Sequence, residues 1–590
     1  MSLLGEIKRR KVFQVAAVYL VVAWLIMQVV DVVSGPLLLP DIFARIVILV
    51  LAIGFPITVL ISWAFDLTPD GAVRDTGAAT FPQGRGRRIE YVLIGLLVLA
   101  VGFMFMDSYV LTGSTDNRRS IAVLPFINDS AAEENAEFFA NGIHEELLSR
   151  LLNIRLLKVI PRTSVMGYRD TSKNMRQIGQ ELGVATILEG SVQRAGDTVH
   201  VNVQLFNAET EERLWGDTFN RELTAGDVFA IQAQVATAIA QALQTTLTPE
   251  ERERLEKVHT ENIAALEAYF RGRERLVQRD GESLLLAIDN FQQAVNEDPN
   301  FALAYSGLAD AYTVLPEYFV SADQDSTRIS SEAEEAALLA LSRDPELPEA
   351  FASAAWSRLH HHYDWVGAER LLRHALKIQP QNLNALHWLS HVLSWQGQSV
   401  EAIELAEKGV LADSVSPLMR TNLSYIHMDA RNFDQSIELV IQVAAESPDF
   451  LSVQRGLWQA QMRAGYYEAA KPSLLEWAER TGRDVEAMDQ IADFIIRNPH
   501  NGQPIDIDDR LLARLAVGSG HHAQLYAFAG DAEATLDALE RGINERLGSL
   551  SIMSMKVNPA YDFVRNEPRF LQLLQRAGLA PERMDDNPVN

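Results

Sequence analysis

The sequence predicts a multi-domain protein with three transmembrane helices, an α/β domain and an all-α superhelix of helical repeats. Three observations support this fold class. At 590 residues the chain is too long for a single hydrophobic core. The first 111 residues are strongly apolar, whereas the remainder is acidic and of ordinary polarity. After about residue 262, small and aromatic residues recur at a constant spacing.

Composition excludes several kinds of function. The chain has 78 acidic and 52 basic residues, which give a net charge of -26, so it repels nucleic acid and no nucleic-acid partner is expected. It has no cysteine, which excludes disulfides, thiolate zinc sites and cysteine nucleophiles. No motif indicates a bound cofactor, so none is predicted.

Three apolar runs in residues 1–111 predict a membrane module with helices over about 12–33, 45–65 and 89–111. A cleaved signal peptide is the alternative for the first run. It is disfavoured because no small-residue cleavage site follows closely and a second span comes soon after. The lipid bilayer is therefore an expected partner.

Basic residues set the expected orientation of these spans. Lys8–Lys11 precede the first span, and four arginines lie in the 66–88 loop between the second and third. Because basic loops stay in the cytoplasm, the N-terminus is predicted to be cytoplasmic. Three spans then place the residues after about 112 in the periplasm, and the expected location is the bacterial inner (plasma) membrane.

A compact α/β domain is predicted over residues 118–248. "SIAVLPF" has the pattern of a short strand, and the following segment carries apolar residues at three- and four-residue spacing, which is typical of an amphipathic helix. Gly183 is expected to end a helix, and Gly196 with Asp197 marks a hairpin turn between alternating strands. The resulting element order is βαβαββ(β)α.

Several segments of this domain carry a family resemblance, notably "SIAVLPF", "ANGIHEELLSRL", "IPRTSVMGYR" and "IGQELGVATILEGSVQRAGDTVHVNVQLFN". They resemble the TolB N-terminal-like (FlgO-like) domain of bacterial proteins that couple it to helical repeats. In adenylate-cyclase-linked and CadC-like relatives, the domain follows a class III cyclase or a winged-helix DNA-binding domain. The N-terminal runs resemble the membrane module that replaces those domains in one subgroup. The resemblance implies a fold and an architecture, and no established reaction.

The loop after the first strand does not resemble a phosphate-binding loop. "PFINDSAAEEN" has neither the glycines nor the lysine that such a loop needs, and Glu133 and Glu134 would face any phosphate. The nearby His144-Glu145-Glu146 does not match the HExxH zinc motif. Neither nucleotide binding nor zinc hydrolysis is predicted here.

Helical repeats are predicted over residues 262–590, with a C-terminal capping segment. Pro380 and Pro448 are two periods of 34 residues apart. Residues expected to pack between paired helices include Ala287, Phe291, Ala294, Ala368, Leu372, Ala375, Ala402, Ala406, Gly409, Ser436, Val440 and Val443. This period and these residue types are those of tetratricopeptide repeats (TPRs), which stack into a superhelix with a concave groove. Phe563 and Phe570 are expected to cap the last apolar face.

No catalytic, cofactor or metal site is predicted among the remaining polar clusters. His360–His362 are adjacent on a helix, so their side chains diverge, and a solvated or capping turn is expected. Glu145 and Glu146 are expected on a solvated helix face. The "DIDD" cluster, with Asp506, Asp508 and Asp509, suits a helix N-terminus better than a catalytic pair.

The sequence therefore predicts a non-catalytic, membrane-anchored periplasmic scaffold or sensor. A protein or peptide partner is expected in the TPR groove, with a further binding surface on the α/β domain. The alternatives are a regulatory subunit or signalling component of a cyclase-like or transcriptional system, or an enzyme of unrecognised type. The sequence identifies neither the residues that bind nor an oligomeric state.

Overall fold

The three-dimensional structure is a computed structural model. It describes residues 119–579 except 131–135, 170, 279, 318–325, 498–513, 515–518 and 546–549, and before them 19, 22–24, 26, 51, 54–55, 66–68 and 71–73. The chain divides into two compact units, Met1–Gly113 and Ser114–Asn590. The predicted α/β domain and the predicted repeats both lie within the second unit.

The structure corrects the prediction of three transmembrane helices. Within the residues that it describes, no helix combines the length and the apolar character needed to cross a bilayer. The prediction rested on hydropathy, whereas a span also needs about 20 consecutive helical residues. Apart from a few positions, the ranges 12–33, 45–65 and 89–111 lie outside the described residues. The inner-membrane location, its orientation and the lipid partner depended on these spans and are withdrawn with them.

In the first unit, two short strands form an antiparallel hairpin, β1 (Asp66–Thr68) and β2 (Gly71–Val73). The first residue of β1 pairs with the last residue of β2. These strands lie in the segment for which the sequence predicts only a loop.

The second unit begins with a mixed sheet of six strands. Its elements are β3 (Ser120–Val123), β4 (Ile127–Asn128), α1 (Ala136–Leu152), β5 (Lys158–Val159), α2 (Arg162–Val165), α3 (Met175–Leu182), β6 (Thr186–Ala195), β7 (Thr198–Asn207), β8 (Arg213–Glu222), α4 (Ala225–Ala242) and α5 (Pro249–Glu256). The strand order is β5-β3-β6-β7-β8, and β4 pairs with β6. β3 is parallel to β5 and β6, whereas β7 is antiparallel to both of its neighbours, β6 and β8.

Side-chain alternation gives this sheet two apolar faces. Val199, Val201 and Val203 of β7 are buried on one face, in a cluster that includes α1 and α4. α2 and α3 cover the other face beside β3 and β6. The turn between β6 and β7 places Gly196 at φ +59°, and Gly183 ends α3 at φ +62°. Both glycines adopt the left-handed conformation that their predicted roles require.

Paired antiparallel helices follow. They are α6 (Ile263–Gln278), α7 (Gly281–Glu297), α8 (Ala302–Val314), α9 (Ser326–Arg343), α10 (Pro348–His362), α11 (Trp365–Ile378), α12 (Leu383–Trp395), α13 (Ser399–Ala412), α14 (Pro417–Asp429), α15 (Phe433–Glu446), α16 (Leu451–Arg463) and α17 (Tyr467–Arg480). We call the first helix of each pair the A helix and the second the B helix. This arrangement confirms a tetratricopeptide-type array.

The curvature of the array follows from its packing. Neighbouring A helices (α6, α8, α10, α12, α14 and α16) pack directly against one another, whereas neighbouring B helices do so far less. The A helices therefore lie on the inner side of the curve, and their inner faces form the groove. The predicted packing positions are buried: Ala287, Phe291 and Ala294 of α7 have no exposed surface.

The C-terminal part contains α18 (Val485–Arg497), α19 (Ser519–Ala529), α20 (Ala532–Asn544), α21 (Leu550–Met553) and α22 (Pro568–Arg576). Phe570 is fully buried, as its predicted capping role requires. The same prediction for Phe563 is wrong, because its side chain is 39% exposed. In the short 3₁₀ helix Pro559–Val564, Tyr561 and Val564 point into the core instead.

Candidate protein-binding groove

Helix α1 of the α/β domain lies against the first stretch of the groove. It faces α6, α8 and α10, and the four helices surround a cavity of about 30 Å³. The cavity is lined by Gly142, Glu145, Glu146 and Ser149 of α1, and by Tyr269, Phe270, Arg273, Leu303, Ser306 and Glu349 of the array. We call the inner faces of α6, α8 and α10 the covered stretch, because helix α1 of the same chain lies on them.

Gly142 allows α1 and α6 to approach closely. A Cβ atom at this position would overlap the Phe270 ring. The same ring meets Phe139 edge-on, with the ring centroids 5.9 Å apart. A glycine inside a helix costs about 1 kcal/mol relative to alanine, so packing against Phe270 explains its presence here. An isolated glycine within an amphipathic pattern is the sequence signal that could have indicated this contact.

The carboxylates of α1 are paired with arginines under the array. Glu145 accepts a hydrogen bond from Arg273 Nε at 2.8 Å and lies 3.8 Å from Arg162. Burial raises the pKa of Glu145, but the two guanidinium groups outweigh burial and hold that pKa below its usual value. Burial also raises the pKa of Glu146. The guanidinium group of Arg150, 3.5 Å away, opposes this rise but does not cancel it.

The prediction that Glu145 and Glu146 lie on a solvated face is therefore wrong. Glu146 is 6% exposed. The reason is tertiary: Arg273 of α6, which covers this face, lies 128 residues further along the chain. A paired and enclosed carboxylate also lacks the access to substrate that a general acid or base needs.

The array adds further negative charge to the covered stretch. Burial raises the pKa of Glu349 to about 7, and the nearby carboxylates of Asp310 and Glu146 contribute to the rise. Asp310 also accepts a hydrogen bond from the Ser353 hydroxyl. The covered stretch is thus an acidic surface that is neutralised by arginines and by burial.

His144, on the opposite side of α1, is a core residue. Its Nε2 lies 2.9 Å from the backbone oxygen of Val123, and its ring meets Phe126 edge-on. Burial lowers the pKa of His144 to about 4. A neutral, buried imidazole with this hydrogen bond is a structural element of the domain rather than a metal ligand.

One rim of the groove is held by residues 157–163 of the α/β domain and by residues 257–260, which follow α5. Four successive turns that join one repeat to the next contact these residues, in order along the array. The contacts are Thr260 Oγ1 to Asp298 at 2.6 Å, Lys257 Nζ to Asp344 at 2.7 Å, Gln381 Nε2 to the oxygen of Leu157 at 2.6 Å, and Thr163 Oγ1 to Asp413 at 2.9 Å. Gln381 also accepts the Val159 N–H at 3.5 Å and so covers the edge strand β5.

The opposite rim is held by the C-terminal segment. Trp365 Nε1 donates to the oxygen of Ala577 at 2.7 Å, and Lys556 Nζ donates to the oxygen of Gln396 at 3.0 Å. Further along, both terminal nitrogens of Arg431 lie 2.7 Å from the Asp562 carboxylate. The turns inside three successive helix pairs are therefore fixed by residues from the end of the chain.

The inner faces of α12, α14 and α16 form a second stretch, which we call the open stretch. Steps of 34 residues place His387, Thr421 and Arg455 at equivalent positions on the three helices. The same step relates His391, Tyr425 and Gln459. His387, Tyr425 and Arg455 are partly exposed, unlike their counterparts in the covered stretch, where Ser306 is 3% exposed. The same 34-residue spacing in the sequence relates the packing residues and these groove residues.

Basic and aromatic side chains connect across the open stretch. Arg455 donates its Nε–H to the Tyr425 hydroxyl at 3.1 Å. The ring of His391 lies 6.4 Å from that of Tyr425 and 5.1 Å from that of His387, measured between centroids. At the end of α17, the guanidinium group of Arg483 stacks over Trp477 at 4.2 Å.

The ionisable neighbours of His391 and Arg483 are basic. Burial lowers the pKa of His391 well below its usual value, and the nearby His387, Arg455 and His360 lower it further. Burial lowers the pKa of Arg483 to about 10, and Arg455 adds to the effect. These shifts have the sign that crowded positive charges produce.

The histidines of the run His360–His362 have different neighbours. In the described part of the chain, no group of three or more histidine, aspartate or glutamate side chains is arranged to hold a metal ion. His360 packs on Trp356 with a centroid distance of 4.4 Å, whereas His362 lies 3.0 Å from Glu334. Asp506, Asp508 and Asp509 lie outside the described residues.

Comparison with known proteins relates the α/β domain to regulators. Residues 117–237 match the model of the second domain of HilA/YgeH-like transcriptional regulators. Over 190 residues, the chain is 35% identical to a Rhizobium meliloti (strain 1021) protein that carries the name of an adenylate cyclase. That match covers 32% of this chain, and the chain spans about a third of the length of that relative. The resemblance to TolB N-terminal-like domains stays a prediction.

Solved structures with a similar arrangement of helices include two repeat proteins. One is a thermophilic TPR protein of Thermus thermophilus, 14% identical, with a TM-score of 0.29; the match covers 33% of this chain and 98% of that protein. The other is a tetratricopeptide repeat protein from Parabacteroides merdae, 12% identical, also with a TM-score of 0.29 and with coverage of 53% and 99%.

Proposed function

We propose that this chain is a non-catalytic scaffold that binds a segment of a partner protein in the open stretch of its groove. One observation carries the proposal. Helix α1 already lies in the covered stretch, so the curvature of the A helices suits a helical or extended segment. The open stretch continues the same surface with partly exposed His387, Tyr425 and Arg455.

Site-specific crosslinking in intact cells tests this proposal. A photoreactive amino acid replaces Tyr425 in the open stretch, and separate variants carry it at Ser306 in the covered stretch and at Val400 on a B helix. Val400 is 75% exposed, so it controls for accessibility alone. We expect a discrete crosslinked partner from position 425 and none from the other two.

Two outcomes would contradict the scaffold. One is an equal yield of the same product from position 400, which would indicate random collision rather than groove binding. The other is turnover of ATP by the purified chain, which would show a catalytic activity that the proposal denies.

A second candidate is a regulatory component of a cyclase-like or transcriptional system. It is favoured by the match of residues 117–237 to a transcriptional-regulator domain and by the adenylate-cyclase relative. The identity of the product crosslinked from position 425 separates the candidates. A nucleotide cyclase or a transcription regulator supports this second role, and a partner of neither kind argues against it.

A further inference from the structure

The two stretches of the groove differ in the ionisable residues that they carry. α1 and the covered stretch bring together Glu145, Glu146, Asp310 and Glu349, and the buried ion pair with Arg273 lies among them. The charged neighbours that act on His391 in the open stretch are His387, Arg455 and His360, all of them basic. In a chain with 78 acidic and 52 basic residues, this concentration of basic groups is unusual.

Several polar atoms of the open stretch and of the turn after α17 are buried without a hydrogen-bond partner in the described part of the chain. They are His391 Nδ1, Thr421 Oγ1 and Arg483 Nε. His391 is 7% exposed, and Thr421 is 1% exposed. A buried polar atom without a partner costs about 1–3 kcal/mol in free energy, so such atoms are commonly satisfied by a ligand or by water.

Arg483 shows the same imbalance between basic and acidic groups. Among the residues that the structure describes, no carboxylate forms an ion pair with it, and its charged neighbour is Arg455. Some other exposed arginines lie beside a carboxylate: Arg497 lies 3.4 Å from Asp493, and Arg373 lies 2.8 Å from Glu401.

We propose that the open stretch, together with Arg483 in the turn after α17, binds an acidic segment of the partner, with Arg455 and Arg483 binding its carboxylates and Tyr425 packing beside Arg455. This inference rests on the proposed scaffold function and specifies its partner. Arginine binds carboxylates through paired, charge-assisted hydrogen bonds. Basic groups on more than one repeat favour several acidic side chains over a single carboxylate. The net charge of -26 opposes nucleic acid as the occupant.

Binding of an oligoglutamate peptide to the full chain tests the inference. The peptide carries a fluorescent label, and affinity is measured by anisotropy at low and at high salt. We expect saturable binding that weakens with salt, and no binding of an oligoglutamine peptide of equal length. Arg455→Gln and Arg483→Gln should each weaken binding about tenfold or more, because each removes a charge-assisted hydrogen bond.

The matched control is Arg497→Gln. Its side chain is 74% exposed on α18, so it removes the same charge outside the groove. Unchanged affinity in this variant supports the assignment to Arg455 and Arg483. The wild-type comparison of the two peptides does not depend on how well any variant folds.

Three results would overturn the inference: no binding of oligoglutamate, equal binding of oligoglutamine, or tighter binding of a single-stranded oligonucleotide. The results also distinguish failure of the acidic-segment proposal from failure of the scaffold proposal. If the peptide does not bind while Tyr425 still yields its crosslink, the groove binds a partner of other chemistry. Loss of both signals would refute both proposals.

Discussion

Arg273→Met should lower the free energy of unfolding by about 3 kcal/mol, because it leaves the Glu145 carboxylate without its closest partner under the array. The side chains of Glu145 and Arg273 are 14% and 26% exposed, so water can only partly hydrate the carboxylate that the substitution leaves unpaired. Arg162, at 3.8 Å, is too distant to replace the lost hydrogen bonds. Chemical denaturation at neutral pH, monitored by circular dichroism, measures the change.

The matched control is Arg275→Met on the same helix. Arg275 is exposed, so its replacement should change stability by less than about 0.5 kcal/mol. Adding Glu145→Gln to Arg273→Met should recover part of the loss, since it removes the unpaired charge. Equal effects of the Arg273 and Arg275 variants would show that the ion pair does not hold α1 on the array.

The effect of Arg273→Met should also depend on pH. Arg273 and Arg162 hold the pKa of Glu145 below its ordinary value of 4.5, so the carboxylate stabilises the fold above that pH. This contribution is lost as pH falls through the lowered pKa of the folded state. The difference between wild type and variant should therefore be largest at neutral pH and should shrink in acid.

Gly142→Ala should destabilise the protein by about 1–3 kcal/mol, because the new methyl group would overlap the Phe270 ring. The expected direction of the change, a loss of stability, makes this prediction specific. In an exposed helix the same substitution stabilises by about 1 kcal/mol, since alanine favours the helix. The midpoint of thermal unfolding distinguishes the two outcomes directly.

Gly167→Ala provides the control in the same domain. A Cβ atom at Gly167 meets no other atom within 4 Å, so its replacement should leave the midpoint nearly unchanged. Smaller destabilisation by Gly142→Ala in a Phe270→Leu background than in the wild type would identify the ring as the cause. A rise in the midpoint for Gly142→Ala alone would mean that α1 and α6 do not approach as closely as the structure shows.

Local features of the fold were predictable because the residues that determine them are close in sequence. The recurrence of Ala287, Phe291 and Ala294 at helical spacing indicated a helix pair, and all three are buried. Gly183 indicates a helix end because glycine readily adopts the left-handed conformation in which its N–H donates to the oxygen of Gly179. These inferences require only the geometry of one or two turns.

The contact of α1 with the groove was not predictable in the same way. It joins Glu145 to Arg273 across 128 residues, and an acidic pair on an amphipathic helix is typical of a solvated face. The prediction for Phe563 is wrong in the opposite direction. An aromatic residue near the end of the array is expected to be buried, but the local 3₁₀ helix directs Tyr561 and Val564 inward and leaves Phe563 exposed. In each case the tertiary partner, and not the local pattern, determines burial.

The groove residues were missed for a different reason. The 34-residue step that identified the packing alanines also relates His387, Thr421 and Arg455, but these positions vary in residue type. A constant side-chain size at a fixed step indicates packing, whereas varied residue types at that step indicate positions that packing between the helices does not determine. Comparing the two kinds of position along the array would have indicated the basic stretch.

Helix α1 occupies the first stretch of the groove, and we expect the α/β domain and the first repeats to form one cooperative body as a result. A single hydrophobic cluster extends from the sheet to Ala354 of α10, which supports this claim. Native-state hydrogen exchange on the full chain tests it most directly. We predict that the amides of α1 and α6 open with the same free energy and respond equally to denaturant. Exchange of α1 at a clearly lower free energy, with α6 still protected, would contradict the account.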